Sequence, residues 1–149
     1  MSQENVEVVR RMYEAFHAAD TVSALASFDP DVVVDFSRRP DGRVGHGREY
    51  LNQIITSWLG AWEEWHEEID EIRDLGDQVY VLATQRGRGK GSGVEVEQSY
   101  AVLCEVKGDS ITNMTYYPKA AEALEAAFRC GRGSRRIRSR LGRLQAAVA

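Results

Sequence analysis

A chain of 149 residues with 43% apolar and 28% charged residues has the make-up of a single globular domain, large enough to bury about two thirds of its unfolded surface. Its formal charge of −4 hides a division: residues 129–149 carry seven arginines and no acid, which leaves 12 basic against 23 acidic residues in 1–128, a charge of −11. So acidic a body is ill suited to gripping phosphate backbones, so nucleic acid is not an expected partner; with no apolar run near the roughly 20 residues of a membrane span, and no basic start or apolar stretch of a signal peptide, a cytoplasmic location is expected.

The elements follow in chain order. A helix is predicted from about Asn5 to Ala18, capped by Ser2, because Val6, Val9, Tyr13 and Phe16 recur at helical spacing beside Met12. Asp20 is placed to cap a second helix over Thr21–Phe28, which Asp29-Pro30 should stop, since the residue before proline is pushed out of the helical region. Val32–Phe36 reads as a strand, and Ser37 to Gly47 as a polar loop. In the third helix Leu51, Ile54, Ile55, Trp58, Leu59 and Trp62 form one broad apolar stripe.

Strands come next. Trp65–Leu75 is long and acidic, and its alternation slips near Asp70, as at a bulge. Gly76-Asp77 turns into Gln78–Arg88. Val94–Val106 follows, with Val94, Val96, Gln98, Tyr100, Val102, Cys104 and Val106 on one face and a wetter face begun by Glu95, Glu97 and Ser99. Lys107-Gly108-Asp109 turns into Ile111–Tyr117. Pro118 suits the first position of a short last helix burying Leu124 and Phe128. The domain is expected to span 1–128, with 129–149 an Arg-rich extension in which Ile137, Leu141 and Leu144 keep helical spacing. That extension reads either as a loosely ordered tail or as a basic amphipathic helix.

Helices segregated from an antiparallel meander mean an α+β fold, a curved sheet of four to six strands around three N-terminal helices. Curvature with covering helices leaves a cone with an open mouth, where a pocket forms. Asp35 ends the apolar run Val32-Val33-Val34, and a carboxylate there needs water, a partner or a ligand.

The succession Glu7-Val8-Val9-Arg10-Arg11-Met12-Tyr13-Glu14-Ala15-Phe16, Asp20, Asp29-Pro30-Asp31-Val32-Val33, Gly47-Arg48-Glu49-Tyr50-Leu51 and Gly76-Asp77-Gln78-Val79 resembles a SnoaL-like member of the NTF2-like superfamily, which includes polyketide cyclases and ketosteroid isomerases. The resemblance covers about residues 3–128. It implies the cone, often a homodimer through the exposed sheet face, and a scaffold that hosts enzymes and plain binders alike. Ketosteroid isomerase, which the physical-chemical literature treats as a worked case of a protonated aspartate beside a tyrosine, would carry its base at Asp35 and those two donors at Met12 and Val102. Neither Met12 nor Val102 donates a strong hydrogen bond, so steroid isomerisation is not expected. Tyr13, about 100° around the helix from Met12, is no simple substitute.

The candidate catalytic residues are Asp35, His46 and Tyr116; the candidate pocket is Met12, Phe16, Ile54, Trp58, Arg86, Gln98, Tyr100, Val102 and Met114. Tyr100, Tyr116 or Arg86 would stabilise an oxyanion formed when Asp35 takes a proton beside a carbonyl. Each also has a plain reading, as core tyrosine, rim arginine or surface histidine. His17, His46 and His66 lack metal-ligand spacing, and Cys104 and Cys130 are too few for a disulfide framework, so neither metal nor cofactor is expected. The run Gly87-Arg88-Gly89-Lys90-Gly91-Ser92-Gly93 lacks the Lys-Ser/Thr pair and following helix of a phosphate loop. Three functions stay open: a cofactor-independent isomerase, cyclase or hydrolase acting on a small hydrophobic carbonyl compound; a binder of such a ligand without chemistry; and a dimeric interaction module.

Overall fold

A computed structural model describes residues 2–40 and 42–138. Helix α1 (Ser2–His17) and the short α2 (Thr21–Ala26) lead into strand β1 (Phe28–Asp35), strand β2 (Val44–His46) and helix α3 (Arg48–Gly60). Four strands follow, β3 (Trp62–Asp74), β4 (Gln78–Gly89), β5 (Glu95–Lys107) and β6 (Ser110–Tyr117), and helix α4 (Ala120–Arg138) closes the described chain. The strands form one six-stranded sheet in the order β2-β1-β6-β5-β4-β3, antiparallel except where β1 runs parallel to β6. This is the α+β cone expected, with the mixed sheet curved around the N-terminal helices.

The boundaries that moved have local causes. Helix α1 begins at Ser2 itself. Asp20 does cap α2, accepting from the Ser23 amide at 3.1 Å, but the helix ends at Ala26 and Phe28 already belongs to β1, opposite Ile111. Register shifts between Phe28 and Val33, as it must around Pro30, which has no N–H to give the ladder. Part of the supposed polar loop pairs with β1 as β2, and Gly47, at φ 97, provides the left-handed turn that opens α3. Trp62 is not on that helix: Ala61 ends α3 and Trp62 starts β3, opposite Gly89. A side chain at Gly87 would collide with the Trp62 ring, so glycine there lets the indole lie on the neighbouring strand. The bulge near Asp70 is present, with register shifting between Ile69 and Glu71.

The inner face of the sheet packs on α1 to α3. Val8, Val9, Met12, Phe28, Val32, Val34, Leu51, Val79, Val81, Val102, Cys104 and Ile111 form the buried core. Burial pushes the Cys104 thiol up to about 12, which leaves it a protonated core residue. The outer face is partly covered as well. Helix α4 begins at Ala120, two residues after Pro118, and lays Ala123 and Ala127 on Tyr80, Ala101, Leu103 and Tyr117; Leu124 and Phe128, the expected anchors, are half-buried. The small alanines let helix and sheet approach, while the larger side chains flank the contact. The helix continues to Arg138, carrying Ile137 with it; Leu141 and Leu144 lie outside the described residues. Beyond the cover of α4, the outer face is polar, with Thr84 donating to Asp70 and Arg86 lying 3.7 Å from Glu68 and 3.6 Å from Glu97. No helix among the described residues is long and apolar enough to cross a membrane.

Candidate functional site

Between the helices and the inner face lies a cavity enclosing about 880 Å³ of atom-free space, its opening to solvent included. From the helices come Met12, Tyr13, Phe16, Ile54, Ile55 and Trp58; from the sheet come Trp65, Glu67, Gln85, Tyr100, Val102, Met114 and Tyr116; Phe36 and Arg39 follow β1. Aromatic rings dominate the wall. Tyr100 and Tyr116 stack at 5.6 Å, Phe36 meets Tyr116 edge-on at 6.0 Å, and Phe16 meets Trp65 edge-on at 5.6 Å.

Two polar devices interrupt this wall. The first centres on Glu67, whose side chain is 2% exposed. The residue's remaining exposure is main chain, since β3 is the sheet edge. Tyr100 donates its hydroxyl to Glu67 Oε2, and His17 Nε2 lies 2.8 Å from Oε1. The Tyr13 phenol lies beside that of Tyr100, close enough for each to act on the other. Burial, more than the nearby charges, holds both phenols well above the ordinary tyrosine range, so both stay protonated. The result is a chain Tyr100 to Glu67 to His17, with Tyr13 beside it. It runs from the cavity wall to a histidine that is 28% exposed in the separate groove between α1 and β3.

The second device is Gln85, 8% exposed on β4. Its Oε1 accepts from Trp58 Nε1 at 3.2 Å and from Trp65 Nε1 at 3.1 Å. An indole nitrogen only donates, so the amide cannot flip, and its NH₂ is turned away from both rings. Trp58 also meets Trp62 edge-on at 5.3 Å, so the two tryptophans expected on one helix face do meet, across the α3–β3 junction.

Of the residues expected from sequence, Met12, Phe16, Ile54, Trp58, Tyr100, Val102, Met114 and Tyr116 line the cavity. Four do not. Asp35 turns back on its own loop, accepting from the Ser37 amide at 3.0 Å and the Ser37 hydroxyl at 2.6 Å, with Arg38 at 3.6 Å. Partial burial alone would raise its carboxyl, but the Ser37 bonds and the Arg38 charge outweigh that and hold it below the usual range, the opposite of a carboxylate primed to take a proton. His46 is exposed at the end of β2. Arg86 projects from the opposite face of the sheet into its two glutamates, because it is one residue out of phase with Gln85. Gln98 stands beside Gln85 in register without lining the cavity.

The residues missed had a signal. On a strand of period two, Glu67 shares a face with Trp65 and Ile69, and Gln85 with Val81 and Ala83; a polar side chain at i±2 from apolar ones is what marks each. Tyr13 reaches the cavity alongside Met12 because the space wraps around more than one row of α1. Among the described residues no three His, Cys, Asp or Glu side chains are grouped to hold a metal ion.

A curved mixed sheet closed by three helices over a cavity defines an NTF2-like protein. The SnoaL-like domain family matches residues 9–114, and the chain belongs to that family. No curated protein matches the sequence. Among solved structures, an NTF2-like protein of unknown function from Burkholderia pseudomallei is 24% identical with a TM-score of 0.68, over 82% of this chain and 95% of that one. A candidate SnoaL-like polyketide cyclase from Jannaschia sp. CCS1 is 18% identical with a TM-score of 0.69, over 84% and 91%. A candidate polyketide cyclase from Xanthomonas campestris pv. campestris is 21% identical with a TM-score of 0.64, over 84% and 97%. At these identities the likeness is one of fold.

Proposed function

We propose that this SnoaL-like protein binds a small apolar carbonyl compound in its cone and moves a proton on it without a cofactor. The observation that carries the reading is a carboxylate buried in the wall of an aromatic cavity and linked outward to a half-exposed histidine. A carboxylate in the wall of an apolar cavity stands within reach of a proton on a ligand held there, which is the placement general-base catalysis needs. Glu67 takes the proton from the carbon beside the carbonyl, and His17 exchanges it with solvent. The amide N–H donors of Gln85, oriented by two indoles, meet the oxygen on which charge develops. The role first assigned to Asp35 thus passes to Glu67.

The test is exchange of α-hydrogens of 2-acetylnaphthalene or 2-tetralone in D₂O, followed by proton NMR, with binding measured alongside by calorimetry. The protein should speed exchange, and Glu67→Gln should slow it by about a hundredfold or more while binding persists. Full exchange activity in Glu67→Gln would sink the base assignment.

A second reading, ligand binding without chemistry, is favoured by Met12 and Val102, which line the cavity where ketosteroid isomerase would offer donors. Binding with no accelerated exchange would select it. The homodimer implied by the resemblance belongs to this proposal too. The surface left for it is the polar half of the outer face around Thr84, Arg86 and Ser99, and sedimentation at several salt concentrations tests it.

A further inference from the structure

We propose that the molecule received by the cavity is an apolar acid, a flat hydrophobic body with an ionised oxygen that Arg39 takes. This rests on the reading of the cavity as a ligand site and adds the charge of the ligand.

Arg39 is one of two charged side chains in the lining, and the other, Glu67, is already engaged by Tyr100 and His17. Arg10, Arg38, Arg73, Arg86, Arg88 and Arg129 each have a carboxylate within ion-pair distance. Among the described residues Arg39 has none, as Arg11, Arg43 and Arg48 have none, but of these four only Arg39 lines the cavity, in a body whose net charge is −11. In so acidic a protein, a cation set in an apolar wall without a carboxylate partner is suited to pair with an anion.

The guanidinium is also held ready. It lies 4.4 Å over the ring of Trp58 and 5.6 Å from that of Phe36. Stacking uses its faces and leaves the N–H donors, which lie in its plane, unspent. Trp58 is fixed in turn by its bond to Gln85, so the platform under the cation does not drift. The charge acts inside the cavity: burial holds the Tyr116 phenol above its ordinary range, and the Arg39 charge offsets only part of that. A planar fork beside aromatic walls fits the paired oxygens of a carboxylate or the ionised oxygen of an acidic enol, and it repels cationic ligands.

The experiment compares 2-naphthoate, 2-hydroxy-1,4-naphthoquinone (an ionised enol at neutral pH) and neutral 2-acetylnaphthalene by calorimetry on the full chain. The quantity read is the ratio of affinities, acid over neutral. We expect at least one of the two acids to bind about tenfold or more tightly than the ketone, and which one does so separates carboxylate from enolate. Arg39→Gln should bring the ratio to about one, and Arg39→Lys should keep part of it. Because the ratio needs the ketone to bind, a collapsed cavity cannot mimic this result. Equal binding of ketone and acids by the wild type, or a ratio unchanged in Arg39→Gln, overturns the inference and leaves the cavity reading intact. If none of the three binds, the cavity reading fails and this one with it.

Discussion

The two faces of strands β4 and β5 bury comparable side chains to opposite ends. Outward, Tyr80, Ala101 and Leu103 meet Ala123 and Ala127 of α4 and fill the space between sheet and helix. Inward, Tyr100, Val102 and Gln85 stand on the same strands but look into open space. The difference lies in what covers them. A straight helix laid flat on a sheet with alanines between closes the gap, whereas three helices bridging the concave side of a bent sheet cannot reach its deepest part. Both faces carry buried core, but only the inner one also holds a cavity, and the polar groups Glu67 and Gln85 stand in its wall.

That contrast can be broken most severely on the solid side. Leu103→Ala should cost about 2–5 kcal/mol, since the truncated side chain leaves a hole nothing can fill, whereas Ile54→Ala, which trims a wall already facing a cavity, should cost under about 1 kcal/mol; urea unfolding of the two variants measures the gap. Equal losses would mean that the cavity wall carries as much of the fold as the outer layer. Next comes Gln85→Leu. It keeps the volume but strands two indole N–H groups, so a loss of about 1–3 kcal/mol is expected, together with a shift in tryptophan emission as Trp58 and Trp65 lose their acceptor. An unchanged emission spectrum would argue that the amide does not hold the rings.

The smallest effect concerns Asp35, which sharpens the contrast by standing at the end of β1 outside the cavity lining. Its carboxyl is held below the usual range in the folded protein, so its contribution is present above the ordinary carboxylate pKa and is lost as pH falls through the lower folded value. Asp35→Ala should therefore cost under about 1 kcal/mol near pH 7 and progressively less as pH falls through the lowered folded value. It should also leave the exchange reaction in place. A loss of exchange matching that of Glu67→Gln would return the base to Asp35.

Much of this was legible in the chain. The apolar spacing of α1 and α3, the Asp20 cap, the slip at Asp70 and the alternation of β5 each follow from a local rule and appear close to where that rule puts them. Misreadings clustered where a tertiary partner overrides local preference. Phe28 is apolar and follows a helical run, but it pairs with Ile111 from the far end of the chain. Trp62 keeps the helical stripe by count alone, and the cap at Ala61 ends the helix first. The candidate site was half legible for a similar reason: periodicity says which residues point inward, so Tyr100, Val102 and Trp58 could be placed in the cavity wall, but it does not say which inward acid has a partner.

By itself the sequence determined the α+β class, the order of elements, their amphipathic faces and the membership of a SnoaL-like family, because each depends on residues near one another or on a succession of them. Only the tertiary structure decided which acid stands in the cavity wall. Asp35 can satisfy its charge two residues away, at Ser37, and does so; Glu67 has no local partner and is satisfied by Tyr100 and His17, 33 and 50 residues distant, which brings a carboxylate to the cavity wall. Whether a buried charge is tied up locally or held across the fold is a property of distances between strands and helices, and no reading of neighbours along the chain contains it.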